Sequence, residues 1–198
     1  MQVKKERRSN ADRTQSMRDG LIAAARDLFI EKGYAETSTP EIVARANVTR
    51  GALYHHFEDK ASLFRAVIRA ESERVAEAIN VATQDCTDAA QALNAGTDAY
   101  LDAMTAPGRT RLLLLDGPAA LGREAMDVID RETSGGTMVV GLTAALGRPA
   151  DAQIQAHASL LAAAFDRAAL DINAGGDASL YRVVLKNMLA EAVEANRA

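Results

Sequence analysis

Apolar residues recur every three or four positions along almost the whole chain, and nowhere do apolar and polar residues alternate over several positions between turn signals. The pattern predicts an all-α protein. A first helix should run from about Asp12 or Arg13 to Lys32, with Leu21, Ala25, Leu28 and Phe29 as one stripe, and end at Gly33 in a left-handed cap. In TSTPEIVARA, Ser38 and Glu41 have capping-box spacing, and Pro40 falls in a first turn, where its missing N–H costs nothing. That helix is about two turns long, with Ile42, Val43 and Ala46 turned inward. Asn47 ends it, because asparagine tolerates left-handed backbone. Val48 fills the corner, Thr49 caps a helix from Arg50 to Phe57, and Asp59 caps a long helix reaching about Ala82.

Two short helices joined by a tight turn and braced by a longer one in front make a helix-turn-helix. On the second short helix Leu53 and Phe57 point to one side, where Ile42, Val43 and the first-helix stripe can cover them. Arg50, Gly51, Tyr54 and His55 are left on the other. Glycine at 51 costs the helix about 1 kcal/mol relative to alanine, which suggests that some surface must come close to the backbone there. A major groove, about 12 Å wide, accepts such a helix.

Charge adds a little. The net charge is -4, divided as +2 over residues 1–80 and -6 over 81–198, so a polyanion would meet the N-terminal part. Lys4, Lys5, Arg7, Arg8, Arg13 and Arg18 crowd the start, without the apolar stretch of a secretory signal. Charges interrupt every apolar run before it could cross a bilayer, so a cytoplasmic protein with no membrane partner is expected. Cys86 is the single cysteine and forms no internal disulfide. Adjacent His55 and His56 point about 100° apart with no third ligand nearby, so no metal is expected. There is no GxSxG, GxxxxGK[ST], HExxH or strand-linked GxGxxG, hence no catalytic residue to name, no cofactor, and no expectation of an enzyme.

The run from Arg13 to about Glu77, above all GYAETSTPEIVARANVTRGALYHHFEDKASLF, resembles the N-terminal DNA-binding domain of the tetracycline-repressor (TetR) family of bacterial transcription regulators. The resemblance covers about a third of the chain. It implies three segments: a flexible basic arm over 1–11, a DNA-binding domain over 12–75, and a helical ligand-binding and dimerisation domain over 76–198. It also implies a homodimer on a palindromic double-stranded operator, probed by two reading heads and released by a small-molecule effector. Thr39, Thr49, Tyr54 and Lys60 fall where family members touch phosphates, and Arg50, Gly51 and His55 where they approach base edges, a phosphate being the alternative for His55. Asn47 stands where the family usually has glycine. RLLLLDGPAALG, residues 111–122, resembles a segment in one branch of the family's C-terminal domains. A helical small-molecule binder without useful DNA binding is the alternative, and an enzyme the more distant one.

Further helices are expected near 87–104, 108–115, 122–146 with a kink at Gly135 and Gly136, 152–174 and 178–195. Ile154, Ala158, Leu161 and Phe165 form one stripe, and Leu180, Val184, Met188 and Ala192 another. Given the implied dimer, Ile154, Ala158, Leu161, Leu180, Val184 and Met188 are the expected interface, an intramolecular core being the plainer reading. For a ligand cavity, Tyr100, Met104, Leu113, Met138 and Phe165 supply apolar lining, with Asp116, Arg123 and His157 as polar candidates.

Overall fold

The structure, a computed structural model, describes residues 10–196. The expected basic arm falls almost wholly outside them, and its last two positions, Asn10 and Ala11, open the first helix instead. The described residues form helices and no strand, and no helix is long and apolar enough to cross a membrane. The chain divides into two compact units, Met1–Val67 and Ile68–Ala198, so the division falls inside a helix and short of the boundary expected at 75.

The first unit holds α1 (Asn10–Lys32), α2 (Thr39–Arg45), α3 (Arg50–His56) and the start of α4 (Lys60–Thr83). Its turns follow from local chemistry. Gly33 closes α1 at φ 85°, its N–H donating to the Phe29 carbonyl. Ser38 and Glu41 form the capping box of α2. Asn47 adopts φ 53°. Its N–H reaches Ala44 O at 3.2 Å while the Val48 N–H reaches Val43 O at 3.0 Å, the paired bonds of a Schellman stop. Thr49 Oγ1 accepts from the Ala52 N–H and starts α3. Beneath these turns Leu21, Ala25, Leu28, Phe29, Ile42, Leu53, Phe57, Leu63 and Phe64 are buried together. The Phe29 and Phe64 rings meet edge-on at 4.9 Å.

The second unit contains the rest of α4, then α5 (Ala89–Met104), α6 (Arg109–Arg111), a π-helical turn (Leu112–Asp116), α7 (Gly117–Leu121), α8 (Arg123–Glu132), α9 (Ser134–Leu146), α10 (Ala152–Asn173) and α11 (Ala178–Ala195). Helices α5, α9, α10 and α11 each pack on the other three around a core of Leu101, Leu142, Phe165, Leu185, Leu189 and their neighbours. Asp98 of α5 binds Arg182 at 3.0 Å and Lys186 at 2.7 Å on α11.

Three expectations are corrected here. Ile154, Ala158 and Leu161 are 1%, 4% and 5% exposed and belong to this core, so they are unavailable to a partner. The same core takes the inner side of α10, and the outer side carries Leu160, 72% exposed. Second, the helix expected over 108–115 does not stop before Gly117-Pro118. Pro118 has no N–H for the i−4 carbonyl and its ring crowds that carbonyl, and the backbone widens into the π turn, with the Gly117 N–H reaching Leu112 O. Third, the expected long helix breaks at Thr133, before the glycines, into α8 and α9.

Candidate nucleic-acid interface and ligand cavity

In the first unit α3 presents Arg50, Gly51, Tyr54 and His55 to solvent while Leu53 is fully buried beneath them. Thr49 is exposed at the start of the same helix and Thr39 half-buried at the start of α2. The Arg50 guanidinium carbon lies 5.4 Å from the Tyr54 ring centre. Hydrogen bonds from Thr39 and then Arg50 hold the Tyr54 hydroxyl below its usual pKa, which marks it as a good acceptor tied across α2 and α3. Burial, and then the positive neighbours His55 and Arg18, lower the pKa of His56, which turns inward. Nothing inside the unit requires glycine at 51: a Cβ there would meet only Thr49 Oγ1, at 3.9 Å. Internal packing therefore does not account for the glycine.

Lys60 differs from its expected part. Its Nζ donates to the carbonyls of Tyr34 at 2.9 Å, Thr37 at 3.0 Å and Ala35 at 3.4 Å, and lies 4.4 Å from the Tyr34 ring centre. An ammonium has three protons, so the whole donor capacity is spent on fastening the α1–α2 connection, and a phosphate would have to displace one of these carbonyls.

The second unit contains two neighbouring cavities, of about 610 Å³ and about 250 Å³, each partly open to solvent. Tyr100, Met138 and Phe165 line the larger, while Tyr100, Met104, Leu113 and Arg123 line the smaller. Two expected residues line neither. Asp116 sits on the π turn and pairs with Arg111 Nε at 3.2 Å. His157 bonds through Nδ1 to Gln153 O at 3.0 Å and faces Asn196 at the end of α11.

The polar groups shared by both cavities are ones that helical spacing did not single out: Asp130, Ser134 and Asp166, with Tyr100. The Tyr100 hydroxyl donates to Asp166 Oδ1 at 2.7 Å. Burial drives the Asp166 carboxyl up to about 6; the Tyr100 bond opposes this, and the charge of Asp130 adds to it. Burial likewise raises Asp130, against hydrogen bonds from Ser134 and the Gly135 N–H. Gly135 makes that last bond possible, since a Cβ there would collide with the Asp130 carboxylate. Ser134 Oγ is also 2.8 Å from Ser72 Oγ of α4, which lies 2.6 Å from Thr133 Oγ1. Two further polar links join α4 to the rest of the unit: Arg69 pairs with Glu132 Oε2 at 2.6 Å, and fully buried Glu71 takes Arg109 Nε at 2.8 Å.

Known proteins resemble both parts of the chain. Residues 21–67 match the family model described as bacterial regulatory proteins, tetR family, and residues 90–192 match that of the tetracyclin repressor-like C-terminal domain. The HTH-type transcriptional repressor BepR of Brucella suis is 40% identical over 62 residues, which span 31% of this chain and 29% of BepR. The Tn10 TetC protein of Escherichia coli is 48% identical over 52 residues, 26% of each chain. These curated relatives are thus matched over less than a third of their length. A crystal structure of a TetR-family transcriptional regulator from Pectobacterium atrosepticum superposes with a TM-score of 0.65 at 33% identity, covering 95% of this chain and 93% of that one.

Proposed function

Since the chain belongs to the tetracycline-repressor family of bacterial regulatory proteins, we propose that it is a cytoplasmic transcriptional repressor that binds a palindromic operator as a homodimer and leaves it when a small molecule enters the second unit. The exposed face of α3 carries this reading: Arg50, Tyr54 and His55 held outward over a closed apolar core, beside a glycine that internal packing does not require. Arg50 discriminates guanine through O6 and N7, Gly51 admits a base edge, and His55 reads beside it. Thr39, Thr49 and Tyr54 grip phosphate oxygens and set the register. Lys60 positions this surface and reaches phosphate only at the expense of a backbone bond.

A second copy covers the exposed rows of α10 and α11, namely Leu160, Leu180, Val183, Val184 and Met188. Two reading heads then address half-sites about 34 Å apart. Helix α4 is common to the two units, and its residues Ser72, Glu71 and Ile79 meet, respectively, the hydroxyl cluster at the α8–α9 break, Arg109 of α6 and the lining of the larger cavity. Occupancy of the cavities shifts α4 and with it the spacing of the heads. By linkage, operator DNA weakens the effector by the factor with which the effector weakens DNA, about 1–3 kcal/mol of coupling.

The test is selection of duplexes from genomic fragments on the full chain, followed by footprinting. A protected palindrome, lost on Arg50→Ala with no change in fold, is the expected result. Equal affinity for that duplex and a scrambled one would sink the regulatory reading.

A further inference from the structure

The charges around the cavities do not balance. Of the acidic residues that line them, Glu132 is paired with Arg69 at 2.6 Å and Asp127 with Arg123 at 3.6 Å. Arg131, at the edge of the larger cavity, is exposed and bonds through its guanidinium to the Asp127 carbonyl at 3.4 Å. Asp130 and Asp166 remain. Neither forms an ion pair among the described residues, and both face both cavities. The rest of the lining mixes apolar side chains, Leu93, Met138, Phe165 and Leu189 on one side and Leu113 and Met126 on the other, with neutral polar ones such as Thr97, Thr137 and Ser72. The Tyr100 and Phe165 rings stand edge to face at 5.4 Å. The Tyr100 hydroxyl is already committed to Asp166.

Resting on the effector-responsive reading above, we propose that the ligand is an apolar monocation, an amine or quaternary ammonium carrying an aromatic or branched aliphatic body. Filling the cavities with a neutral molecule strips water from two like-charged carboxylates and returns nothing, and an anion adds a third negative charge. A single positive charge near both offsets their repulsion. Its body takes the apolar lining, and aromatic faces nearby favour a cation further. The raised pKa of Asp166 fits the geometry, since burial and a like charge are what a bound cation would relieve. The Gly135 backbone fits it too. Its missing side chain makes room for a carboxylate on the wall of the cavity, where an uncharged lining would need no such room.

The experiment titrates the full chain with two isosteres, benzyltrimethylammonium and neopentylbenzene with carbon in place of the nitrogen, and with an anion of similar size, 4-phenylbutyrate. Calorimetry or ligand-observed NMR gives the affinities. The cation is expected to bind about tenfold or more tightly than the neutral isostere, and the anion weakest. The advantage of the cation grows between about pH 5 and 7.5 as Asp166 gives up its proton, whereas the neutral probe stays level. Asp166→Asn removes most of that advantage and leaves neopentylbenzene unaffected; Asp130→Asn repeats the test should the first variant fold poorly. Equal or tighter binding of the neutral or anionic probe, or no binding of any, overturns the proposal. The regulatory reading fails separately. A chain that prefers neopentylbenzene and still drops its operator on binding it keeps that reading, and a chain that takes the cation but prefers no duplex loses it.

Discussion

The two units use polar groups in opposite ways. The first keeps them on its surface: the buried layer beneath α3 is apolar apart from Thr37, whose hydroxyl is satisfied by the Leu28 and Gly33 carbonyls, and every residue of the candidate reading face is in water or half-buried. The second places two carboxylates, a tyrosine hydroxyl and a knot of three small hydroxyls against apolar walls. A reading surface gains from a stiff, dry support, because its contacts are made to a partner that brings its own charge. A cavity selective for a charged guest must carry the opposite charge inward before the guest arrives, and that costs stability.

The largest effect expected on this contrast comes from the support itself. Leu53→Ala should destabilise the first unit by about 2–5 kcal/mol, since Leu53 is fully buried, while the second unit keeps its ligand affinity. Calorimetric scanning then resolves an early transition that the parent lacks. A single transition moved as a whole would show that the units do not fail independently. Next, Leu160→Glu with Val184→Glu puts like charge on the outer rows of α10 and α11. Light scattering should report a monomer, and affinity for the palindrome should drop by roughly a hundredfold or more as the second head loses its tether.

Asp166→Asn tests the cost of inward charge. The folded carboxyl keeps its proton to about pH 6 and an unfolded one to about 4, so the parent fold is favoured below pH 4 and loses that advantage as pH rises through 6. At pH 8 the variant should be more stable by about 2 kcal/mol, and near pH 4 the gap should close; chemical denaturation at the two pH values reads it. Arg50→Ala should cost about 1–3 kcal/mol at one base pair in each half-site on a panel of altered operators, with melting unchanged. The smallest effect is also the sharpest. Gly51→Ala should raise thermal stability by up to about 1 kcal/mol, because the added Cβ has open space, and yet weaken operator binding.

The contrast extends to what the sequence discloses. In the first unit each boundary has a local cause, and capping box, Schellman stop and Thr49 cap lie within five residues of what they control. The candidate face follows from which residues the core takes, Leu53 and Phe57, so helical periodicity is enough to delimit it. Lys60 escapes that logic, because its carbonyl partners lie 23 to 26 positions away in an irregular connection. In the second unit, periodicity correctly marks Ile154, Ala158 and Leu161 as one apolar side of α10, but cannot say whether the chain's own helices or a partner's cover it. The Tyr100–Asp166 bond joins residues 66 positions apart, with no spacing rule to connect them. One trace was there to read: Asp130 five residues before Gly135, in a stretch whose paired glycines suggest a bend but also clear room for a carboxylate.

The π turn at Leu112–Asp116 carries a consequence for how the chain can change length. A π turn is an α-helix with one residue added, so the helix on either side keeps its facing when that residue is taken out. Exposed Leu115 is the residue whose removal disturbs least, but Pro118 would then again press on the carbonyl four positions before it. Deleting Leu115 alone, or replacing Pro118 alone, should therefore harm the fold more than making both changes together. Insertion and proline are two halves of one alteration, gained or lost as a pair.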